Sequence, residues 1–432
     1  PTRLAEMRMP TKEVLDVLRE HPVMFDASYV VIANSLALKV SGITRDTPNP
    51  AGGEIVKGKD GEPNGILKNA AGLLKRQSRS EAWPEAEQLK ALEAMLRRYA
   101  APGLTSVVDR SATEAEMGLY DKLRAAGKLP VRVALTWRPD ASAPLDTIVA
   151  SIRKGPRPGG DEWLRRSVYK VTLDGGMTIG TAWQRQPYGP FGAQLYGKTD
   201  PSDRGQLFVP VDKLTGILRA ARDAGWSLTA HAQGGGAIDT LLDAFEALHR
   251  ERPLAPTRSH LMHASFQSTE AIARAAKMGI LADVQAAWLY HDAPALTKVF
   301  GLDGMRLFFP LRSYLNAGVR IAGGSDHMIG HDKNNAVNPY NPFLGIWTSV
   351  TRKTSAGQVV GANERITREE ALRAYTTGAA YLTGEEAHKG SLETGKLADF
   401  VLIDRDYLRC PEDQIREIRP LAVYIGGRKV VP

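Results

Sequence analysis

Across the middle of this 432-residue chain, short apolar runs alternate with longer stretches whose apolar positions recur three and four residues apart. The runs end near Asp109, Leu135, Leu173, Ala230, Met262, Val284 and Gly323. The stretches at 89–99, 114–126, 211–224, 237–249, 269–278 and within 305–317 have the period of an amphipathic helix. Strands that alternate with helices in this way predict a parallel sheet with covering helices. Seven such strands fall one short of a TIM-type (β/α)8 barrel, so the fold class expected is α/β with the first barrel strand outside this sequence.

The flanks read differently. Residues 1–88 look like an inserted α+β segment, with a helix expected over 11–19 and a hairpin formed by 53–56 and 65–67 around Asp60-Gly61. After a helix expected over 368–381, the composition shifts, and residues 390–403 read as a turn that feeds a strand. A hairpin of 421–425 and 429–431 follows around Gly426-Gly427. The expected division is therefore 1–88 as the insert, 89–388 as the barrel, and 389–432 as part of a small β-sandwich domain.

Polar residues interrupt this pattern at or near the strand ends. Lys170 lies within Tyr169-Lys170-Val171, His231 follows Leu228-Thr229-Ala230, His263 follows Leu261-Met262, and Asp326 follows Ala322-Gly323-Gly324-Ser325. Imidazole and carboxylate are the ligands a zinc-type catalytic ion takes, and such an ion lowers the pKa of water and polarises a carbonyl. A carboxylate beside that water can act as general base and pass the proton to the leaving group. Lysine is ordinarily a cation and a poor ligand. Desolvated in an apolar strand, its neutral amine can form a carbamate that mimics a carboxylate and bridges two metals. Each residue alone has an ordinary explanation: a hydrogen-bonded histidine, a snorkelling lysine, a helix-capping aspartate. The ordered recurrence at strand ends is what points to a metal-dependent hydrolase.

Composition narrows the field. Hydrophobic residues make up 43% of the chain, enough for one large core or two, and no run has the length to span a bilayer. The net charge of +8 is scattered, without an arginine-rich or RNA-binding motif, so nucleic acid is not the expected partner. A small-molecule substrate is, with a homodimer as a possible assembly. Cys410 is the only cysteine, which excludes an intrachain disulfide and a multi-cysteine metal site. The chain begins Pro1-Thr2-Arg3, without methionine or signal peptide, and reads as a fragment. The cytoplasm is slightly favoured, with the periplasm left open. Gly234-Gly235-Gly236 lacks the Lys-Ser/Thr pair of a phosphate loop.

Several motifs together resemble the amidohydrolase superfamily, in particular its YtcJ-like branch, which includes N-substituted formamide deformylases. They are Asn34-Ser35-Leu36, Gly52-Gly53-Glu54-Ile55, Tyr169-Lys170-Val171 with Asp174-Gly175, His231-Ala232, His263-Ala264, Gly324-Ser325-Asp326, Asn341-Pro342-Phe343-Leu344-Gly345 and the 390–399 stretch. The resemblance covers nearly the whole chain. It implies hydrolysis of an amide or related C–N bond with one or two divalent ions, zinc first. Lys170 would be the bridging, carbamylated ligand, His231 and His263 would bind the second ion, and Asp326 would be both ligand and base. Four departures stand out. The first-strand His-x-His pair is absent, Gln233-Gly234 replaces an Asp-Arg pair, Met262 replaces a glutamate, and Ser28-Tyr29 occupies the place of a histidine.

Substrate contacts are expected from Asp174, from Trp288 in the loop after the strand that ends near Val284, and from His327 and His331 in the loop after Asp326, because loops after barrel strands build the site. Two other functions use the same scaffold. One is a catalytically silent regulatory or binding protein, motivated by the departures. The other is a metal-dependent isomerase or lyase.

Overall fold

The computed structural model describes residues 1–50, 52–75, 83–328 and 330–431, which divide into two compact units. The first comprises 1–82 together with 174–208 and 295–301, and the second comprises the rest. The first unit therefore draws in two later segments besides the N-terminal one, and residues 389–432 belong to the second.

The first unit is built on an antiparallel sheet of β1 (Met24–Asp26), β2 (Val30–Ala33), β3 (Glu54–Lys57) and β4 (Pro63–Lys68), in the order β1-β2-β4-β3. Every residue of β2 is buried, because both faces of the sheet are covered. Val31, Ala33, Leu38, Ile55 and Leu67 form one apolar cluster, and Val30, Ile32, Val56, Ile66 and Met9 form the other. The hairpin expected at 53–67 is present as β3–β4. The helix expected over 11–19 shrinks to Lys12–Leu15. The residues beyond it are engaged elsewhere. Asp16 accepts from the Ser35 N–H and hydroxyl, both at 2.7 Å, and Asn34 Nδ2 donates to the carbonyls of Leu18 and His21. Such side-chain bonds compete with helix continuation.

The second unit holds a curled sheet of seven parallel strands: β5 (Ser106–Ala112), β6 (Arg132–Trp137), β8 (Leu164–Thr172), β9 (Ser227–Ala232), β10 (His260–His263), β11 (Leu281–Val284) and β12 (Ile321–Gly323). The two-residue β7 (Gly159–Gly160) pairs antiparallel with β8. The parallel strands lie side by side in chain order, and no pairing joins β5 to β12 among the described residues. The seven expected strands are these seven. β6, β10 and β11 are buried throughout, which is why they read as continuous apolar runs rather than as alternating ones. Helices Glu114–Ala125, Val211–Asp223, Gly235–Glu251 and Thr269–Met278 join successive strands.

Two helical expectations change. Residues 368–381 form two helices, Arg368–Tyr375 and Thr377–Leu382, parted at Thr376. There the chain runs so close to β12 that a Cβ on Gly378 would stand 2.3 Å from the Ile321 carbonyl oxygen. The segment after β11, expected as a loop, is the helix Ala287–Gly304, with Pro294 inside it and a break at Gly301.

At the C-terminus, β13 (Phe400–Ile403), β14 (Pro420–Ile425) and β15 (Arg428–Val431) form one antiparallel sheet. Buried Arg132 of β6 anchors it, donating through Nε and Nη2 to both carboxylate oxygens of Asp399 at 2.6 and 2.9 Å. Among the described residues, no helix is long and apolar enough to cross a membrane.

Candidate active site

Parallel register carries the polar strand-end residues to the same end of the sheet. Lys170 of β8 pairs with Thr229, Thr172 with His231 of β9, and His231 with Met262 of β10. Met262 pairs in turn with Asp283 of β11, and Asp283 with Ala322 of β12. Lys170, His231 and His263 are buried, and Asp326 is partly so.

His263 ends β10 with a φ of 66°, followed by Ala264 at 47°, and Asp326 has a φ of 51°. Left-handed backbone at residues other than glycine is uncommon and concentrates at sites whose surroundings hold it in place. Around Asp326 that support is visible. Asn338 Nδ2 donates to its carbonyl at 2.5 Å and to Oδ2 at 3.4 Å. The Tyr375 ring fills space that only glycine leaves. A Cβ at Gly323 would stand 2.4 Å from the ring, and one at Gly345 would stand 1.9 Å from the hydroxyl.

The four side chains share one electrostatic environment. Burial lowers the Lys170 ammonium to about 8, a shift opposed by the Asp326 carboxylate and reinforced by Arg110 and Arg138. Burial raises Asp326 to about 6, with Lys170 opposing and Asp283 adding to the rise. His231 falls to about 3 through burial and the Lys170 charge, and His263 is likewise held neutral, with His231 as its next largest cause. The two imidazoles meet edge to face with ring centroids 4.6 Å apart. A carboxyl and an amine pushed toward each other, beside two neutral imidazoles, form the kind of arrangement found where proton transfer or ligation is needed.

A hydrogen-bonded row stands behind His263. Its Nδ1 is 2.8 Å from Gln285 Oε1, Gln285 Nε2 is 3.2 Å from Asp283 Oδ1, and Arg110 binds Asp283 Oδ2. His263 Nε2 is buried without a partner. An imidazole whose Nδ1 is spent on an amide oxygen and whose Nε2 lone pair is unused suits a divalent ion, since ligating histidines commonly donate their other N–H to such an acceptor. Among the described residues, no three His, Cys, Asp or Glu side chains form a metal-holding group by themselves.

The residues expected to contact substrate are placed unequally. Trp288 stacks on His263 at 5.1 Å and 23°, and its Nε1 donates to the Ser325 carbonyl at 3.0 Å, so it lines this site from a helix rather than a loop. Both ring nitrogens of His327 are engaged, Nδ1 with the Tyr99 hydroxyl and Nε2 with the Gly330 carbonyl, each at 2.9 Å. His331 is exposed, and its carbonyl accepts from Tyr340 at 2.7 Å. Asp174 belongs to the first unit, where it is buried and accepts from the Trp183 N–H at 3.0 Å. Arg110, Asp283, Gln285 and Asn338 escaped the sequence reading. Asp283 did leave a signal, a lone carboxylate inside an apolar strand. Asn338 left none, because it comes from a loop twelve residues beyond Asp326.

Comparison with known proteins gives the family and the fold. The profile of the amidohydrolase family matches residues 1–431. An N-substituted formamide deformylase of Arthrobacter pascens is 32% identical over 437 residues, covering 99% of this chain and 76% of its own length. The putative amidohydrolase YtcJ of Bacillus subtilis is 29% identical over 97% of this chain and 76% of its own length. In fold, the chain is similar to an uncharacterised metal-dependent hydrolase of Pyrococcus horikoshii, with a TM-score of 0.68 at 20% identity, covering 94% of this chain and 76% of that one.

Proposed function

Because the chain belongs to the amidohydrolase family, we propose that it is a metal-dependent hydrolase that cleaves an amide or related C–N bond with Asp326 as general base. The observation that carries this reading is the pairing of opposed shifts, Lys170 down and Asp326 up, beside the unpartnered Nε2 of His263. The deformylase relative supports the bond class, and its name points to substituted formamides as the first substrates to try.

In this reading Lys170, His231, His263 and Asp326 hold one or two divalent ions, zinc first, with Lys170 carbamylated. A bound ion supplies a water of lowered pKa and polarises the scissile carbonyl. The chain's own residues do the rest. Asp326 takes the proton from the attacking water and delivers it to the departing nitrogen. His231 and His263 stay neutral at working pH and keep their lone pairs for ligation. Trp288 forms an apolar wall against the substrate, with His327 and His331 reaching it from the following loop. Residues 89–388 would supply a barrel that closes with an eighth strand, 1–88 an insert, and 389–432 part of a β-sandwich.

Zinc stoichiometry and a panel of amides test the reading. Lys170→Ala should lose metal and regain part of its turnover with short carboxylic acids, which occupy the vacated space, whereas Lys170→Arg should not be rescued because guanidinium cannot form a carbamate. Retained metal in Lys170→Ala, with no rescue, would refute the bridging role.

A further inference from the structure

We infer that Gln285 is a positioning residue that locks His263 in the tautomer carrying its proton on Nδ1, so that the Nε2 lone pair faces the site, and that Asp283 and Arg110 fix which way the Gln285 amide points. This deepens the metal-site reading and rests on it only for the consequence on metal affinity.

The row can be read from one end without ambiguity. A guanidinium has only donors, so Asp283 Oδ2 accepts from Arg110. The other oxygen, Oδ1, is 3.2 Å from the Gln285 amide and needs a donor, which only the NH2 side of that amide provides. The amide must therefore turn its carbonyl oxygen to His263 Nδ1, 2.8 Å away. A carbonyl oxygen accepts only, so Nδ1 carries the proton and Nε2 does not. The ambiguity that usually attends an amide facing an imidazole is removed by the fixed polarity of the Arg110–Asp283 pair.

Burial makes the lock strict. Gln285 is 3% exposed, Asp283 4% and His263 1%, so little of any of the three faces bulk water. The Trp288 ring stacked on the imidazole opposes rotation of the ring. Strand register supplies the placement. Asp283 is the residue of β11 opposite Met262 of β10, and Gln285 lies two residues further along the chain, beside His263. Residue 324 lies over this row, where a Cβ would stand 3.4 Å from Asp283 Oδ1 and 3.6 Å from Gln285 Nε2, in ordinary contact.

The experiment uses the full chain with 15N-labelled imidazole histidine, stripped of metal by chelator, and reads the ring nitrogens by NMR. The resonance of His263 is identified by its loss in His263→Gln. The expected spectrum has a protonated Nδ1 and an unprotonated Nε2. A proton on Nε2 in the unsubstituted protein overturns the inference without recourse to any variant. Gln285→Leu, close in shape but unable to accept, should turn the single tautomer into a mixture, as should Asp283→Asn, which frees the amide to flip. An unchanged single tautomer in Gln285→Leu also overturns it. Zinc titration of the same samples separates the two claims. Gln285→Leu should weaken zinc binding by about 10–100-fold, the usual cost of losing such a supporting contact. If the unsubstituted protein shows the expected tautomer yet binds no zinc, the metal-site reading fails and the positioning role of Gln285 stands.

Discussion

Two buried polar clusters in the sheet unit, one on β6 and one spread over the ends of β8 to β12, show what separates a structural ion pair from a candidate site. On β6, Arg132 and Asp399 are each at most 5% exposed at the side chain and leave little unused. Arg132 donates to both Asp399 oxygens and, through Nη1, to the Glu162 carbonyl at 3.0 Å, while Asp399 also accepts the Gly426 N–H at 2.8 Å. The strand-end cluster is buried at Lys170, His231 and His263 and partly so at Asp326, and it leaves His263 Nε2 and the neighbouring Arg110 Nη1 without partners. An unpartnered atom alone marks nothing, since Trp226 Nε1 is also buried and unpartnered far along β9's other end. The difference lies in the combination of unpartnered nitrogens, opposed shifts on Lys170 and Asp326, and left-handed backbone at His263 and Asp326. A satisfied pair has its donors and acceptors spent within the fold, whereas an unsatisfied group retains capacity for something the fold itself does not supply.

The contrast can be broken from the site side first. Asp326→Asn should keep the fold and cost about 10²–10⁴-fold in kcat, because the amide has nearly the same shape and cannot accept the proton. Turnover near that of the unsubstituted enzyme at equal metal content would remove Asp326 from the role of base.

From the structural side, Asp399→Ala should destabilise the fold by roughly 3–5 kcal/mol, since it strands a buried guanidinium. Turnover per folded molecule should be unchanged. Urea unfolding monitored alongside activity decides, and a loss below about 1 kcal/mol would mean that Arg132 finds water or another partner.

A third test sharpens the difference through pH. In metal-free protein the folded Asp326 titrates near 6, above the ordinary unfolded value near 3.9. The native state then binds more protons than the unfolded one in that window. Stability from this group is present below about pH 4 and lost as pH rises toward 6, by about 3 kcal/mol in all. Asp326→Asn should flatten that slope in unfolding curves taken between pH 4 and 6.5. Glu251, held down to about 2 by Arg219 and Arg222, has the opposite sign. Its contribution is present above the ordinary glutamate range and is lost as pH falls toward 2, so Glu251→Gln should flatten the acid limb instead.

The smallest effect is expected at His331, exposed in the loop after β12. His331→Ala should change stability by no more than about 0.5 kcal/mol. If the side chain touches substrate, KM should rise while kcat holds, and an unchanged KM across the amide panel would leave His331 as solvated loop.

Much of this was open to reading in one dimension. The seven strands, the four strand-end residues and the terminal hairpin follow from periodicity and from polar residues that interrupt apolar runs, because a strand buried on both faces tolerates a lysine, histidine or carboxylate only where something uses it. The short first helix, the break at Thr376 and the helix holding Trp288 did not follow. The first two meet partners distant in sequence, Asn34 and Ser35 for the first and the Ile321 carbonyl for the second, and the third carries Pro294 inside it, a residue that local propensity disfavours within a helix.

What the sequence determined by itself was therefore which residue types stand at which strand ends, since alternation and length are local properties of the chain. What only the tertiary structure decided was how those side chains are held. The direction of the Gln285 amide, the pairing of Arg110 with Asp283 and the support of Asp326 by Asn338 join residues from 2 to 173 positions apart. Hydrogen-bond polarity passes through space from one group to the next, and no local pattern in the chain encodes which donor will meet which acceptor once the strands lie side by side.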